Sequence, residues 1–84
     1  MRDAATAIVE ALRTGDFSLS VHASRRLLRR SVTKADIQAC GRTAESCAWQ
    51  PDRGTYRLEG KDLDGEPLTV ICAWDEPVVI VTFF

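Results

Sequence analysis

Residues 55–83 read TYRLEGKDLDGEPLTVICAWDEPVVIVTF, and this stretch decides the fold. Polar and apolar residues alternate in its first part, and the runs 68–74 and 78–83 carry apolar residues on both faces, which is typical of central strands. The intervening turns, around Asp64-Gly65 and Asp75-Glu76-Pro77, are too short for a crossover. These strands are therefore predicted to form an antiparallel meander. Four of their residues are expected to be buried: Val70, Cys72, Val79 and Val81.

The residues before Gly41 follow a helical period instead. Apolar residues at spacings of three and four predict a first helix over 3–13, which ends at Gly15. Ser18 or Ser20 is a suitable N-cap for a second helix that runs to Arg30. Its inner face is expected to hold Val21, Ser24, Leu27 and Leu28.

A third helix begins at the capping-box-like segment Thr33–Asp36 and is predicted to end at Gly41. Helices followed by strands predict an α+β fold, with two or three N-terminal helices packed on a four-stranded antiparallel meander sheet. The first of these strands spans 46–50. The length of 84 residues indicates a single domain over 1–84, with a leading helix over 1–16 and a core over 17–84.

Charge is distributed unevenly along the chain, although the net charge is only −1. Residues 1–42 hold eight Lys/Arg and four Asp/Glu, whereas residues 43–84 hold three and eight. Five cations and no anion lie between Phe17 and Ala35. Such asymmetry is typical of an anion-binding surface or of a homodimer in which opposite patches face each other.

The basic segment, residues 20–30, reads SVHASRRLLRR and contains the one histidine of the chain. On a helix, His22, Arg26 and Arg29 fall on one stripe, which Arg25 and Arg30 flank. An imidazole beside fixed cations is suited to holding a phosphate and moving a proton near it. A solvated basic helix face has the same pattern, so the residues leave both interpretations open.

Several classes of site are not indicated by the sequence. Three cysteines without a CxxC pair, and with one histidine, predict free buried thiols, with no metal site and no cofactor. Trp49 and Trp74 lie in apolar strand patterns and are expected in the core. No apolar run is long enough for a signal peptide or a membrane span, which predicts a cytoplasmic protein that does not enter membranes.

Residues 22–32 read HASRRLLRRSV, which resembles the helix motif of a small bacterial family known only as a domain of unknown function. That motif has a His-Ala pair and an arginine four residues after the histidine, and the family commonly has glycine where Ser31 stands here. Further segments resemble the family in the same order: Thr33–Ile37, Tyr56–Gly60, Asp64–Val70 and Val79–Thr82. The layout of the family is similar to that of RelE/ParE-like and BrnT-like toxins, which cleave RNA or bind other macromolecules.

This resemblance implies a site and a mechanism. The implied site contains His22, Arg26, Arg30, Tyr56 and Thr82. In a metal-independent ribonuclease, His22 would move the proton at the 2′-hydroxyl, arginines 26, 29 or 30 would stabilise the phosphorane, and Tyr56 and Thr82 would position the phosphate. Arg25, Arg29, Arg30 and Arg57 are the predicted phosphate- or partner-binding residues.

The residues and the resemblance leave two functions open. The first is the ribonuclease, acting on RNA as the toxin half of a pair with an antitoxin as its protein partner. The second is a non-catalytic binding module that uses the basic helix to bind an acidic protein, a nucleic acid or its own acidic half in a homodimer. Convergence of His22 and the arginines with Tyr56 and Thr82 in one concave site would favour the ribonuclease.

Overall fold

The computed structural model describes residues 3–84, and in that range it contains three helices and a five-stranded sheet. None of these helices has the length and apolar character needed to cross a lipid bilayer. The elements are α1 (Ala4–Thr14), β1 (Phe17–Leu19), α2 (Val21–Arg30), α3 (Lys34–Arg42), β2 (Ser46–Gln50), β3 (Thr55–Lys61), β4 (Pro67–Ala73) and β5 (Val78–Phe83).

The sheet has the order β1-β5-β4-β3-β2. Strands β2 to β5 form the predicted antiparallel meander, and β4 and β5 are central. The predicted four-stranded antiparallel sheet is nevertheless wrong, because β1 adds a fifth strand parallel to β5, with Phe17 opposite Val78 and Leu19 opposite Ile80. Three residues are too few to give a strand period, and their partner lies at the far end of the chain. The α+β class is confirmed.

The core lies between one face of the sheet and the helices. It contains Ile8 and Leu12 from α1, Ala23 from α2, and Ile37 and Cys40 from α3, all fully buried. The sheet contributes mainly Leu58, Val70, Cys72, Val78, Ile80 and Phe83. The helices of the described chain form a core with one face of the sheet only, and we call the opposite face of the sheet the outer face.

The residues of β5 that face the core are shifted by one position along the strand from those predicted. Val70 and Cys72 are buried as predicted, but Val79 and Val81 are only partly buried, and Val78 and Ile80 take the inner positions. Because β5 has apolar residues on both faces, its alternation does not show which residues point toward the core. The parallel partner β1 and the helices determine this instead.

A β-bulge interrupts the pairing of β4 with β5. Cys72 lies opposite Ile80 and Ile71 lies opposite Thr82, so Val81 is an extra residue in β5. Because of this extra residue, Thr82 leaves the inner face and Phe83 becomes fully buried there. The bulge therefore keeps a hydroxyl out of the core and places it on the outer face.

Helix α3 continues past Gly41 to Arg42, so the predicted end at Gly41 is wrong. A Cβ at this position would lie 2.6 Å from the backbone N of Arg13 and 2.8 Å from the Cβ of Leu12. Glycine is needed there because α1 and α3 approach closely, and not because the helix ends. Gly15, with φ of 87°, ends α1 as predicted.

Candidate functional site

Helix α2 carries most of the predicted site residues, and local chemistry fixes its two ends. The Ser20 hydroxyl accepts a hydrogen bond from the N–H of Ala23 at 3.0 Å, so Ser20 is the N-cap, one of the two predicted candidates. At the other end Ser31 adopts the left-handed conformation, with φ of 55° and ψ of 23°. That conformation favours glycine, which is the residue expected there from the family resemblance.

The helix lies along the part of β5 that β1 does not cover. The N–H of Ser20 donates to the carbonyl of Ile80 at 2.9 Å, and the Ser20 hydroxyl donates to the carbonyl of Val81 at 2.8 Å. Ala23 is fully buried, and Leu27 packs against the core. The predicted inner face is therefore wrong in part: Val21, Ser24 and Leu28 are exposed, Leu28 at 89%.

Arg26 takes part in this attachment to β5. Its Nε donates to the carbonyl of Phe83 at 2.7 Å. The backbone of Phe84 exchanges two hydrogen bonds with Thr69, both at 2.8 Å, so the neighbouring carbonyl of Phe83 points away from β4 and toward α2. Arg26 thus satisfies a backbone carbonyl of β5 beyond the residues that β1 covers.

The basic side chains of α2 form a small cavity, which we call the α2 cavity. Its volume is about 170 Å³. It is lined by His22, Arg25, Arg26, Arg29 and Arg30. The salt bridges within residues 3–84 join Arg13 to Glu10 and Arg57 to Glu59, so none of the α2 arginines is neutralised by a carboxylate of the described chain. Guanidinium groups in this arrangement can bind a phosphate through paired hydrogen bonds.

Arg57 and Thr82 lie elsewhere, in a groove on the outer face of the sheet. This outer groove has a volume of about 450 Å³. The Arg57 guanidinium lies 3.2 Å from Glu59 Oε1 and 5.5 Å from the centroid of the Phe84 ring. Thr82 and Phe84 line the same groove.

Tyr56 occupies a third position, on the helix-facing side of β3. It is half-buried, packs against the core, and its ring centroid lies 5.0 Å from that of Trp49 at an interplanar angle of 52°. The predicted set of His22, Arg26, Tyr56 and Thr82 therefore does not line one cavity of the described chain. Trp49 and Trp74, expected in the core, are 52% and 50% exposed.

A comparison with protein-family models matches residues 19–84 to the Domain of unknown function (DUF4258). The chain belongs to the DUF4258 family. This confirms the predicted membership of a domain-of-unknown-function family, and the match contains no statement about toxins or ribonucleases. Neither the curated proteins nor the solved structures give a significant match to the chain.

The DUF4258 segment begins in β1 and includes α2, α3 and the meander, whereas α1 precedes it. Both the α2 cavity and the outer groove lie inside the segment. The sequence predicted every residue of the α2 cavity and two residues of the groove, Arg57 and Thr82, but it did not indicate that these two lie in a separate groove. The signal that could have indicated the groove is Thr82 within an apolar run, because a polar residue there is accommodated by a bulge.

The cysteines of the DUF4258 segment are buried or half-buried free thiols. Burial raises the pKa of the Cys40 thiol to about 12 and that of Cys72 further still. Both therefore stay protonated at neutral pH and pack as apolar side chains. Within residues 3–84 no group of three or more His, Cys, Asp and Glu side chains is arranged to hold a metal ion.

Proposed function

We propose that the protein is a nucleic-acid-binding module that holds the phosphate backbone on α2. One observation carries this proposal: five side chains, four of them arginines, line a single small cavity and have no acidic partner in the described chain. Uncompensated cations on one surface repel each other, and a bound polyanion removes that repulsion. With a nucleic acid, neutralising phosphates also releases the counterions condensed on the backbone, which adds to the free energy of binding.

The type of cation supports phosphate over carboxylate as the ligand. All four cations of α2 are arginines, whose planar guanidinium fork binds two phosphate oxygens at once. The cavity lies on one side of a helix of ten residues, so successive guanidinium groups can follow a phosphate backbone along the helix axis. An acidic protein is the other macromolecule that could bind there, and the experiment below separates the two.

Binding of a fluorescein-labelled ten-nucleotide RNA, measured by anisotropy across a salt series, tests the proposal. We expect affinity to fall steeply with salt, and Arg25→Ala with Arg29→Ala to reduce the slope of log K against log salt by about one to two. These two arginines are chosen because Arg26 is engaged by the carbonyl of Phe83.

A matched control removes the same charge elsewhere. Arg42→Ala with Lys61→Ala alters two exposed cations at the end of α3 and of β3, and should leave the slope near that of the parent. Polyglutamate of equal charge serves as the competitor. Equal displacement by polyglutamate and by unlabelled RNA, or no RNA binding at low salt, would refute a nucleic-acid module.

A metal-independent ribonuclease is the second candidate: His22 lines the α2 cavity beside the arginines, although Tyr56 and Thr82 lie outside it. An imidazole next to a bound phosphate can exchange a proton with the 2′-hydroxyl. His22→Gln should then lower RNA cleavage in EDTA by ~100- to 10,000-fold while RNA binding is retained. Absence of cleavage by the parent protein, together with harmless expression in a host lacking a partner gene, would exclude both the ribonuclease and the toxin of an antitoxin pair.

A further inference from the structure

The outer groove and the α2 cavity meet at the end of β5. Phe83 receives the Arg26 guanidinium on its carbonyl at 2.7 Å, while its two neighbours, Thr82 and Phe84, line the groove. Only the last residues of one strand therefore separate the two sites. We propose that single-stranded nucleic acid passes over this strand end, with its phosphates on α2 and one unstacked base in the outer groove.

The floor of the groove suits a base. Ile71 and Val81 supply an apolar surface, and Phe84 stands 47% exposed at the rim. The Arg57 guanidinium lies over the Phe84 ring, 5.5 Å from its centroid, and 3.2 Å from Glu59 Oε1, so an aromatic ring and a planar cation stand together in the groove. Bases stack on both kinds of surface without regard to sequence.

Charge supports the same ligand. Arg53 and Arg57 are two of the three cations in an otherwise acidic half of the chain, and both line the groove. Arg53 forms no ion pair with a described residue and can bind the phosphate next to the stacked base. The β-bulge at Val81 turns the Thr82 hydroxyl outward, where it can donate to or accept from a base edge.

A duplex cannot use the groove in this way because its bases are already paired and stacked. The inference thus goes beyond polyanion binding: it predicts a preference for single strands over duplexes. It rests on the proposed function for the phosphate contacts. The base contact depends on Phe84 and Arg57, which are distant from α2 in sequence and can be altered separately.

Binding of fluorescein-labelled U10, dT10 and a ten-base-pair RNA duplex to the parent, Phe84→Leu and Phe84→Ala tests the inference. We expect Phe84→Leu to weaken U10 binding by about 10-fold, since leucine keeps the apolar contact but loses the stacking surface, and to leave duplex binding unchanged. Leu63→Ala, at a 58% exposed position in the β3–β4 turn, is the control and should bind as the parent does. The U10 and dT10 arms separate RNA from DNA.

The outcomes distinguish the two proposals. If the parent binds U10 in a salt-dependent, Arg29-sensitive manner but Phe84→Leu matches it, the base site is refuted and α2 binding stands. If Phe84→Leu weakens U10 and duplex equally, the groove is not a base site. If U10 binding depends on Phe84 but not on the α2 arginines, the base site stands and the proposed function is refuted. Nuclear magnetic resonance with uridine monophosphate alone gives an independent readout. Chemical-shift changes at residues 82–84, 57 and 53 support the groove, and their absence overturns it.

Discussion

At the scale of single residues, the arginines of α2 are chemically equal in the sequence but not in the structure. Arg26 is partly buried with its Nε on the carbonyl of Phe83, whereas Arg25, Arg29 and Arg30 are exposed. The spacing of the arginines on the helix could not indicate this role, because the partner of Arg26 is a backbone atom 57 residues away. The long-range hydrogen bond gives Arg26 a structural role in attaching α2 to β5.

This difference predicts opposite outcomes for two alanine substitutions. Arg26→Ala should lower the free energy of unfolding by about 1–2 kcal/mol, because it leaves the edge carbonyl of Phe83 without its charged donor. Arg29→Ala, the matched control on the same helix, should change it by less than about 0.5 kcal/mol. Urea denaturation followed by circular dichroism measures both values. Equal effects of the two substitutions would contradict the anchoring role.

Ser31 is a second residue whose backbone conformation decides its effect on stability. A φ of 55° costs free energy for any residue with a Cβ. Ser31→Gly should therefore raise the free energy of unfolding by about 0.5–1 kcal/mol, after the greater freedom of glycine in the unfolded chain is subtracted. Ser31→Ala keeps the Cβ and should give no increase, and a stabilisation by alanine would disprove the conformational explanation.

At the scale of elements, the helix caps could be predicted and the packing glycine could not. Ser20, Gly15 and the Thr33–Asp36 capping box act on backbone groups within four residues, so their chemistry is written locally in the sequence. A glycine near the end of a helix is typical of a C-cap, but Gly41 instead allows α3 to approach the backbone of α1. A cap is a local property, whereas a close approach between helices needs the folded partner.

The capping box predicts a pH dependence of stability. The N–H of Thr33 donates to Asp36 and lowers the pKa of this carboxyl below its ordinary 3.8, and the N–H of Leu63 adds to the effect while partial burial opposes it. A carboxyl with a lowered folded-state pKa stabilises the fold fully above its unfolded value, and this contribution is lost as pH falls through the folded value.

Asp36→Asn should consequently cost about 1 kcal/mol at neutral pH, and the difference from the parent should shrink as pH falls below about 4. The free energy of unfolding by urea, measured between about pH 6 and pH 2.5, gives the two curves. Asp64→Asn, at an exposed side chain without a hydrogen-bond partner in the described chain, should parallel the parent throughout. A constant difference for Asp36→Asn would show that the charge does not matter.

At the scale of the whole molecule, the sequence predicts the pairing of strands joined by short turns. It does not predict pairings between residues far apart in the chain. The meander follows from three tight turns, and the basic helix follows from composition. The parallel pairing of β1 with β5 joins Phe17 to Val78 across most of the chain. The bulge at Val81 lies in the local pairing of β4 with β5, but the spacing of apolar residues in β5 does not indicate it. The candidate site shows the same division: the α2 cavity lies on one helix, whereas the outer groove needs residues from four strands and the bulge.

We expect α1 to belong to the same cooperative unit as the DUF4258 segment. Ile8 and Leu12 are fully buried in the common core, and burial of each contributes about 1.5–3 kcal/mol. A domain with a total stability of about 5–15 kcal/mol loses a large share when both are removed. Residues 17–84 expressed alone should therefore lose cooperative urea unfolding and slow hydrogen exchange at Val70 and Cys72. A peptide of residues 1–16 added in trans should restore both, since it supplies the side chains that cover α3 at Gly41. If residues 17–84 alone unfold with the midpoint of the whole chain, α1 is an appendage and the single domain is smaller than we propose.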